Sequence, residues 1–531
     1  MSLFCTNYDL VIVGGGISGL FLAYKLSETN LKILLLEKEK KLGGRIHTIK
    51  KDNYSYEAGA ARFNENHLKL ISLINELDLQ DQMIQLPKDI DTKIRKYDTK
   101  NKLDTYFLLN ILGTKYSSYE DSYLQNITFY QLIVEVFDNE TAEFIKDSFG
   151  YDSEFIHLNA FAAITMFKDD LFKKTDYYML QNGLSQIIER MEQNLSFKKN
   201  VTILKNNSLK KIFDDKIETT IDTYHYKNLV LAMPQYNLKK LDEFKDFKAL
   251  DSVQPIHLLR IYAKYPVGKN GVWFKDIKRT TTNNYLRHII PIDYKNGLIM
   301  ISYVDCFYAN MLNSMYMNGK ESLIKAIHKE IKTLFDIEPP KPKELFVHNW
   351  DKEYAGVHMW ETGYDLNKLY PKIMKPDKDK NIYIVGESYS KKQCWIEGAL
   401  ETCYDVLKMI KFKGIEINFS KEEVLKKEIK QETIIKKKYT IHEVLKQDKW
   451  IILEINGKKN IYDISNWLPL HPGGTAILRG VDANKYYLKN SGVKISPTKL
   501  FEGIGVHHSN QAKEKYLLQE NEYVILVGEL K

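Results

Sequence analysis

The chain has little cysteine, little proline and no long apolar run, and each shortage excludes something. Four cysteines in 531 residues, Cys5, Cys306, Cys394 and Cys403, are too few for a disulfide-stapled secreted scaffold. None stands in C-x-x-C spacing, so a reducing compartment is expected. With 13 prolines and a hydrophobic share of 44%, disorder over most of the length is excluded. No uninterrupted apolar stretch reaches the roughly 20 residues that cross a bilayer, and no signal-like n-region precedes the first strand. The expectation is a soluble, intracellular, cytoplasmic protein without a transmembrane segment. Charge of one sign is also scarce: 77 basic against 69 acidic residues leave a net charge of +8. That excess accompanies a general richness in Lys, Asn, Ile and Tyr, and no basic stripe interleaved with aromatics points to nucleic acid.

The length calls for more than one domain. Apolar residues 8–13 read as a buried strand, "SGLFLAYKLSE" has helical spacing, and "LKILLLEKE" (31–39) is a second strand, so the chain opens on a βαβ unit. Residues 64–195 read as mostly helical, 201–232 as strand, hairpin and strand, and 255–350 as a mixed region. "NIYIVGES" is a further buried strand, and "WIEGALETCYDVLKMI" a helix. From residue 413 the chain turns charged and nearly free of aromatics, as a linker does. A unit of about ninety residues follows from Tyr439.

Gly14-x-Gly16-x-x-Gly19 lies between the first strand and its helix, with Gly15 and Ser18 inside the motif and Glu37 closing the second strand. Gly14 permits the turn, Gly16 lets a pyrophosphate approach the backbone, and Gly19 lets the helix pack on the strand. The helix N-terminus attracts phosphate, and Glu37 can accept both ribose hydroxyls. The alternative is a purely structural glycine turn.

"KLGGRIHT" follows at once. Together with "YEAGAARF" (56–63), "YYMLQNGLSQIIERM", "YKNLVLAMP" and "IYIVGESYSKKQCWIEGALE", in this order, residues 8–412 resemble the flavin-containing amine oxidase and L-amino-acid oxidase family. The resemblance implies non-covalent FAD. Its contacts would be Gly14, Gly15, Gly16, Ser18, Gly19, Glu37, Gly43, Gly44, Arg45, Gly59, Ala60, Ala61, Val201, Gly386, Glu387, Trp395 and Ile396. Gly386 and Glu387 would hold the ribityl-pyrophosphate, with Trp395 over the ring. Arg62 matches the arginine with which L-amino-acid oxidases grip the substrate carboxylate; a contact to a FAD phosphate or a structural Asp is the other reading. The guanidinium fork suits a carboxylate. Tyr354 is a second candidate wall of the ring. Where relatives place a lysine near flavin N5, "IHLLRIYAKYPVGKNGVWF" offers Arg260 or, in another register, Lys264. The segment 350–364 lacks the cysteine that anchors flavin in monoamine oxidases, and its His358 is a remote candidate for such a link.

Residues 439–531 resemble cytochrome b5, with "NWLPLHPGG" as the haem loop. The resemblance implies haem b, with His471 as one axial ligand, His508 before Ser509 as the other (His507 stands beside it), and Gly473 and Gly474 wrapping the porphyrin edge. An insertion at "DANKYYLKNSGVKISPTKLF" departs from the family pattern.

The expected architecture is therefore an α/β Rossmann-like FAD-binding domain (about 1–62, 196–250 and 375–412). An α+β substrate domain (about 63–195 and 251–374) is interleaved with it. A linker (413–438) and a small α+β cytochrome b5-like domain (439–531) follow. The implied activity is hydride removal from the C–N bond of an amino acid or amine, with O2 or an electron-transfer partner, through the haem, taking the electrons. A desaturase or reductase of a lipid or isoprenoid, with the haem as electron port, is the alternative.

Overall fold

The computed structural model describes residues 7–87, 90–94, 105–115, 119–168, 175–351, 353–410, 412, 438–455, 458–465, 478–488, 493–498 and 525–530. The chain forms two compact units, Met1–Asn418 and Phe419–Lys531. Nearly all of the linker lies outside the described residues, as do His471, Gly473, Gly474, His507 and His508.

In the larger unit a seven-stranded sheet is assembled from three separated stretches of chain. Its order is Leu209–Ile212, Lys216–Thr219, Thr223–Leu231, Asn7–Val13, Ile33–Leu36, Val201–Leu204, and Ile382–Ile384 also pairs with Thr223–Leu231. The strands at 7–13, 33–36, 201–204 and 382–384 run parallel with their neighbours. All four residues of Ile33–Leu36 are buried, the continuous apolar pattern of a strand covered on both faces. The helix Ile17–Leu26 lies over the sheet against Ile396–Met409 and Ser185–Ser196.

A second, six-stranded sheet has the order Glu344–Trp350, Leu258–Lys264, Leu298–Asp305, His288–Asp293, Thr280–Thr282, Asp91–Lys93. Strand alternation divides its residues between two faces. Leu259, Ile261 and Ala263 enter a core with Leu312, Leu323, Ile327 and Ile331 from the helices Cys306–Met317 and Lys320–Phe335. Tyr262, on the opposite face, packs on Tyr56 and Met300. Between the two sheets in sequence, short helices include Phe129–Val136, closed by a Thr128–Gln131 capping box, and Asn139–Phe149, capped by Asp138. Gly150 ends that helix at φ +89°, and a Cβ there would stand 2.5 Å from the His288 ring. The helical segment therefore packs closely on the second sheet. Among the described residues no helix is long and apolar enough to cross a membrane.

The smaller unit carries a four-stranded sheet ordered Lys438–Tyr439, Ile525–Leu530, Lys458–Asp463, Trp450–Ile455. Val444, Ile452 and Ile461 form its core. Asn484 ties a neighbouring turn to the edge strand, accepting from Ile452 N at 2.9 Å and donating to Trp450 O at 2.6 Å.

Candidate functional site

The first strand ends at Val13, and the chain turns sharply through Gly14, at φ +110°, where a Cβ would stand 2.3 Å from the Ala232 carbonyl. Gly19 is equally confined, 2.0 Å from the Gly14 carbonyl. Gly16 differs. It caps the helix Ile17–Leu26 with φ −72° and no side-chain cap, and a Cβ there would meet nothing within 4 Å. A Cβ at Gly386, at φ +138°, would likewise meet nothing within 4 Å. An uncapped helix N-terminus beside bare glycine backbone is a seat for a dinucleotide's phosphates. Gly43 extends it, bridging to Gly16 and donating to Gly15 O at 2.9 Å. Glu37 stands beside the seat, buried, accepting from Gly15 N at 2.7 Å and Glu39 N at 2.8 Å. Each bond takes a different carboxylate oxygen, so each oxygen keeps a lone pair for a ribose hydroxyl. Burial raises the Glu37 pKa, and the two backbone donors oppose that rise.

Glu387 is spent differently. One oxygen accepts from His358 N (3.2 Å) and Cys394 N (2.8 Å). The other accepts from Arg45 Nη1 (2.5 Å) and His358 Nδ1 (3.2 Å). A carboxylate offers about four lone-pair sites, and all are taken. Burial opposes its charge, yet Arg45 and His358 hold the carboxyl well below the ordinary range. His358 is fully buried, and burial lowers its pKa. The neutral ring fits its surroundings as the Nδ1–H tautomer, with Nε2 3.3 Å from the Ser388 hydroxyl.

Beyond Cys394 the chain turns into the helix Ile396–Met409 with Trp395 as its first flank. Trp395 stacks on Tyr177 at 6.2 Å and meets the edge of His67 at 4.7 Å. The Arg62 guanidinium lies 4.9 Å over the other ring of the stack, Tyr177. Glu397 fixes this corner by accepting from Lys69 N and Leu70 N, the uncapped start of the helix Leu68–Glu76. Arg260 is buried; its Nη1 donates to the carbonyls of Glu57 and Gly59, and its guanidinium lies 4.2 Å over Tyr303. The Tyr151 ring lies 4.5 Å from His288 and 5.1 Å from Tyr303. Burial first, then Arg279, Arg287, Arg62 and Arg260, pushes His288 far below its ordinary pKa.

Residues 17–406 match the model of the flavin containing amine oxidoreductases. The chain belongs to that family. An uncharacterised protein of Acanthamoeba polyphaga mimivirus is 22% identical over 500 residues, 77% of this chain and 95% of that protein. Flavin-containing amine oxidase A of Sus scrofa is 37% identical over 73 residues, only 14% of either chain. A putrescine oxidase with redesigned cofactor binding has a TM-score of 0.60 at 16% identity, covering 76% of this chain and 99% of that one. At that identity the likeness shows a shared fold. The chain is an FAD-dependent enzyme of the amine oxidase class, and the open glycine cradle with the half-engaged Glu37 fits that cofactor.

For this flavoprotein several sequence expectations change. Glu387 is not available to ribityl hydroxyls, because four protein donors fill it. Val201 opens its strand and pairs with Ile33, whereas Leu204 pairs with Leu36, next to Glu37. The cofactor edge of a parallel sheet is its carboxyl edge, so Val201 stands at the wrong end. Lys264 lies over Tyr54, 3.6 Å from Glu344, and it is Arg260 that meets the loop carrying Gly59, Ala60 and Ala61. Tyr354 is 36% exposed, donates to Glu39 and carries Lys38 on its ring. It packs on Trp350 and on the loop after Glu37, away from the Trp395 stack. His358 is locked between Glu387 and Ser388 and is not placed as a flavin anchor. Sequence reasoning missed Tyr177, His67 and the role of His358. Tyr177 lay inside a quoted segment, while the other two gave no local signal.

Proposed function

We propose that the chain oxidises the C–N bond of an amino acid, with the C-terminal unit as a haem-bearing electron outlet. The observation that supports this best is the stack Trp395–Tyr177–Arg62, which sets a guanidinium on the edge of an aromatic wall. When bound, FAD supplies the two-electron acceptor for a hydride from the substrate Cα. Arg62 would grip the carboxylate in a bidentate fork and so fix which C–H points at the acceptor. The surrounding arginines favour an anionic group here, beside the half-buried rings of Tyr177 and Trp395. Arg260 stays cationic because burial is opposed by Tyr303 and Tyr262. Held by the Glu57 and Gly59 carbonyls, it serves as a fixed charge and not as a proton carrier. The imine product, having lost a hydride and a proton, hydrolyses to keto acid and ammonia. The electrons leave to O2, giving hydrogen peroxide; a haem b, which His471 and His508 would hold, would supply a one-electron outlet.

Anaerobic stopped flow with mixed L-amino acids and polyamines tests this. Flavin bleaching by amino acids, followed by haem reduction at a rate independent of protein concentration, is the expected result. Bleaching by polyamines alone overturns the amino-acid assignment, and bleaching with oxidised haem overturns the relay.

A further inference from the structure

We propose that His358 is a positioning residue for the FAD diphosphate, acting through Glu387 on Arg45. The proposal rests on the flavin assignment and adds a residue to it. Arg45 directs Nη1 to Glu387 and to Gly356 O at 3.3 Å. Among the described residues both of its hydrogen bonds leave from that one nitrogen, so Nε and Nη2 remain for a ligand. Arg45 follows Gly43 and Gly44, whose φ values of +115° and +55° carry the chain past the phosphate seat at Gly16. A guanidinium anchored by one nitrogen presents its remaining donors in a fixed direction. What anchors it is the orientation of the Glu387 carboxylate, and His358 supplies two of that carboxylate's four donors, N and Nδ1. The ionised Glu387 carboxylate, which can only accept, sets the tautomer: it keeps the proton on Nδ1, and the Ser388 hydroxyl donates to Nε2.

Without the Nδ1 donor, Glu387 keeps a buried unsatisfied lone pair and turns toward other donors, and Arg45 loses its fixed direction. His358→Asn keeps an N–H near the Nδ1 position, whereas His358→Leu fills the space without a donor. Apoprotein of each variant is titrated with FAD by flavin fluorescence, with circular dichroism as the check on folding. H358L should weaken FAD about 10-fold or more, the size of one lost buried charge-assisted bond, and H358N should stay within about threefold of the parent. In an Arg45→Gln background H358L should cost less than twofold, because the effect travels through Arg45.

Equal losses in H358N and H358L, or an undiminished loss in the R45Q background, overturn the proposal in favour of plain packing. Should H358L not fold, His358→Met, unbranched and likewise without a donor, carries the comparison, and FAD binding should weaken several-fold only where Arg45 is intact. Parent apoprotein that takes up no FAD would remove the flavin assignment itself, a separate outcome from parent binding with no effect in H358L.

Discussion

Gly14 and Gly16 stand two residues apart in one loop, and the structure predicts opposite consequences for the same substitution at each. At Gly14 an alanine must hold φ +110° with its Cβ 2.3 Å from the Ala232 carbonyl. Backbone strain of this kind costs about 1–3 kcal/mol, and the contact with a fixed strand carbonyl adds to it. About 3 kcal/mol lowers the melting temperature of a unit this large by about 3–4 °C. At Gly16 the backbone is ordinary and the Cβ meets nothing, so Gly16→Ala should leave the apoprotein's melting temperature within about 1 °C, slightly raised if anything. In the proposed cradle, however, that open space takes the phosphates. A methyl group there displaces at least one backbone–phosphate hydrogen bond, worth about 1.5–3 kcal/mol when charge-assisted, or roughly 10- to 100-fold in FAD affinity. Differential scanning fluorimetry of apoprotein, alongside FAD titration, separates the two. A G16A protein that binds FAD as tightly as the parent would refute the placement of the cradle, and a G14A apoprotein as stable as the parent would refute the strain argument.

Three further outcomes are expected. Glu387→Gln places an amide NH2 against donors whichever way it is turned and should cost about 3–5 kcal/mol in denaturant unfolding. Because the folded pKa of Glu387 is depressed, its stabilisation is complete above the ordinary glutamate value, about 4.3, and declines as pH falls below it; E387Q should flatten that acid limb. Glu154 is shifted the other way, raised by burial and by Asp305, so it costs stability as pH rises above about 4.3. Glu154→Gln should lessen the loss of stability expected between about pH 4.3 and about 8 in thermal melts, and an unchanged pH profile would contradict the assignment. Arg62→Gln should raise KM for amino acids by about 100-fold while leaving amines without a carboxylate within a few-fold, read by peroxide or ammonia release, since a bidentate ion pair is lost only by the former.

The nucleotide-binding half was legible because its information is local. Turn, helix and second strand lie within some thirty residues, and Gly19 and Glu37 are held by near neighbours in the chain, although the contact that confines Gly14 comes from Ala232. Strand and helix patterns from 201 to 232 and from 382 to 409 were readable for the same reason: period 2 and period 3.6 are recorded residue by residue.

What the linear order could not hold was the pairing of distant groups. Arg45 and Glu387 are 342 positions apart, and whether that carboxylate serves a ribityl chain or an arginine depends on who else reaches it. Val201 fits the strand pattern at either end; only the parallel register against Ile33 shows which end faces the cofactor. Arg260 and Lys264 are both long cations at even-numbered positions of Leu258–Lys264, and the distance along the strand decides that Arg260, not Lys264, meets the Gly59 loop. Sequence by itself determined the cofactor class and the elements that carry it. Tertiary structure decided which polar groups are already satisfied by the protein and which are left for a ligand, because hydrogen-bond capacity is exhausted by contacts that only folding brings together.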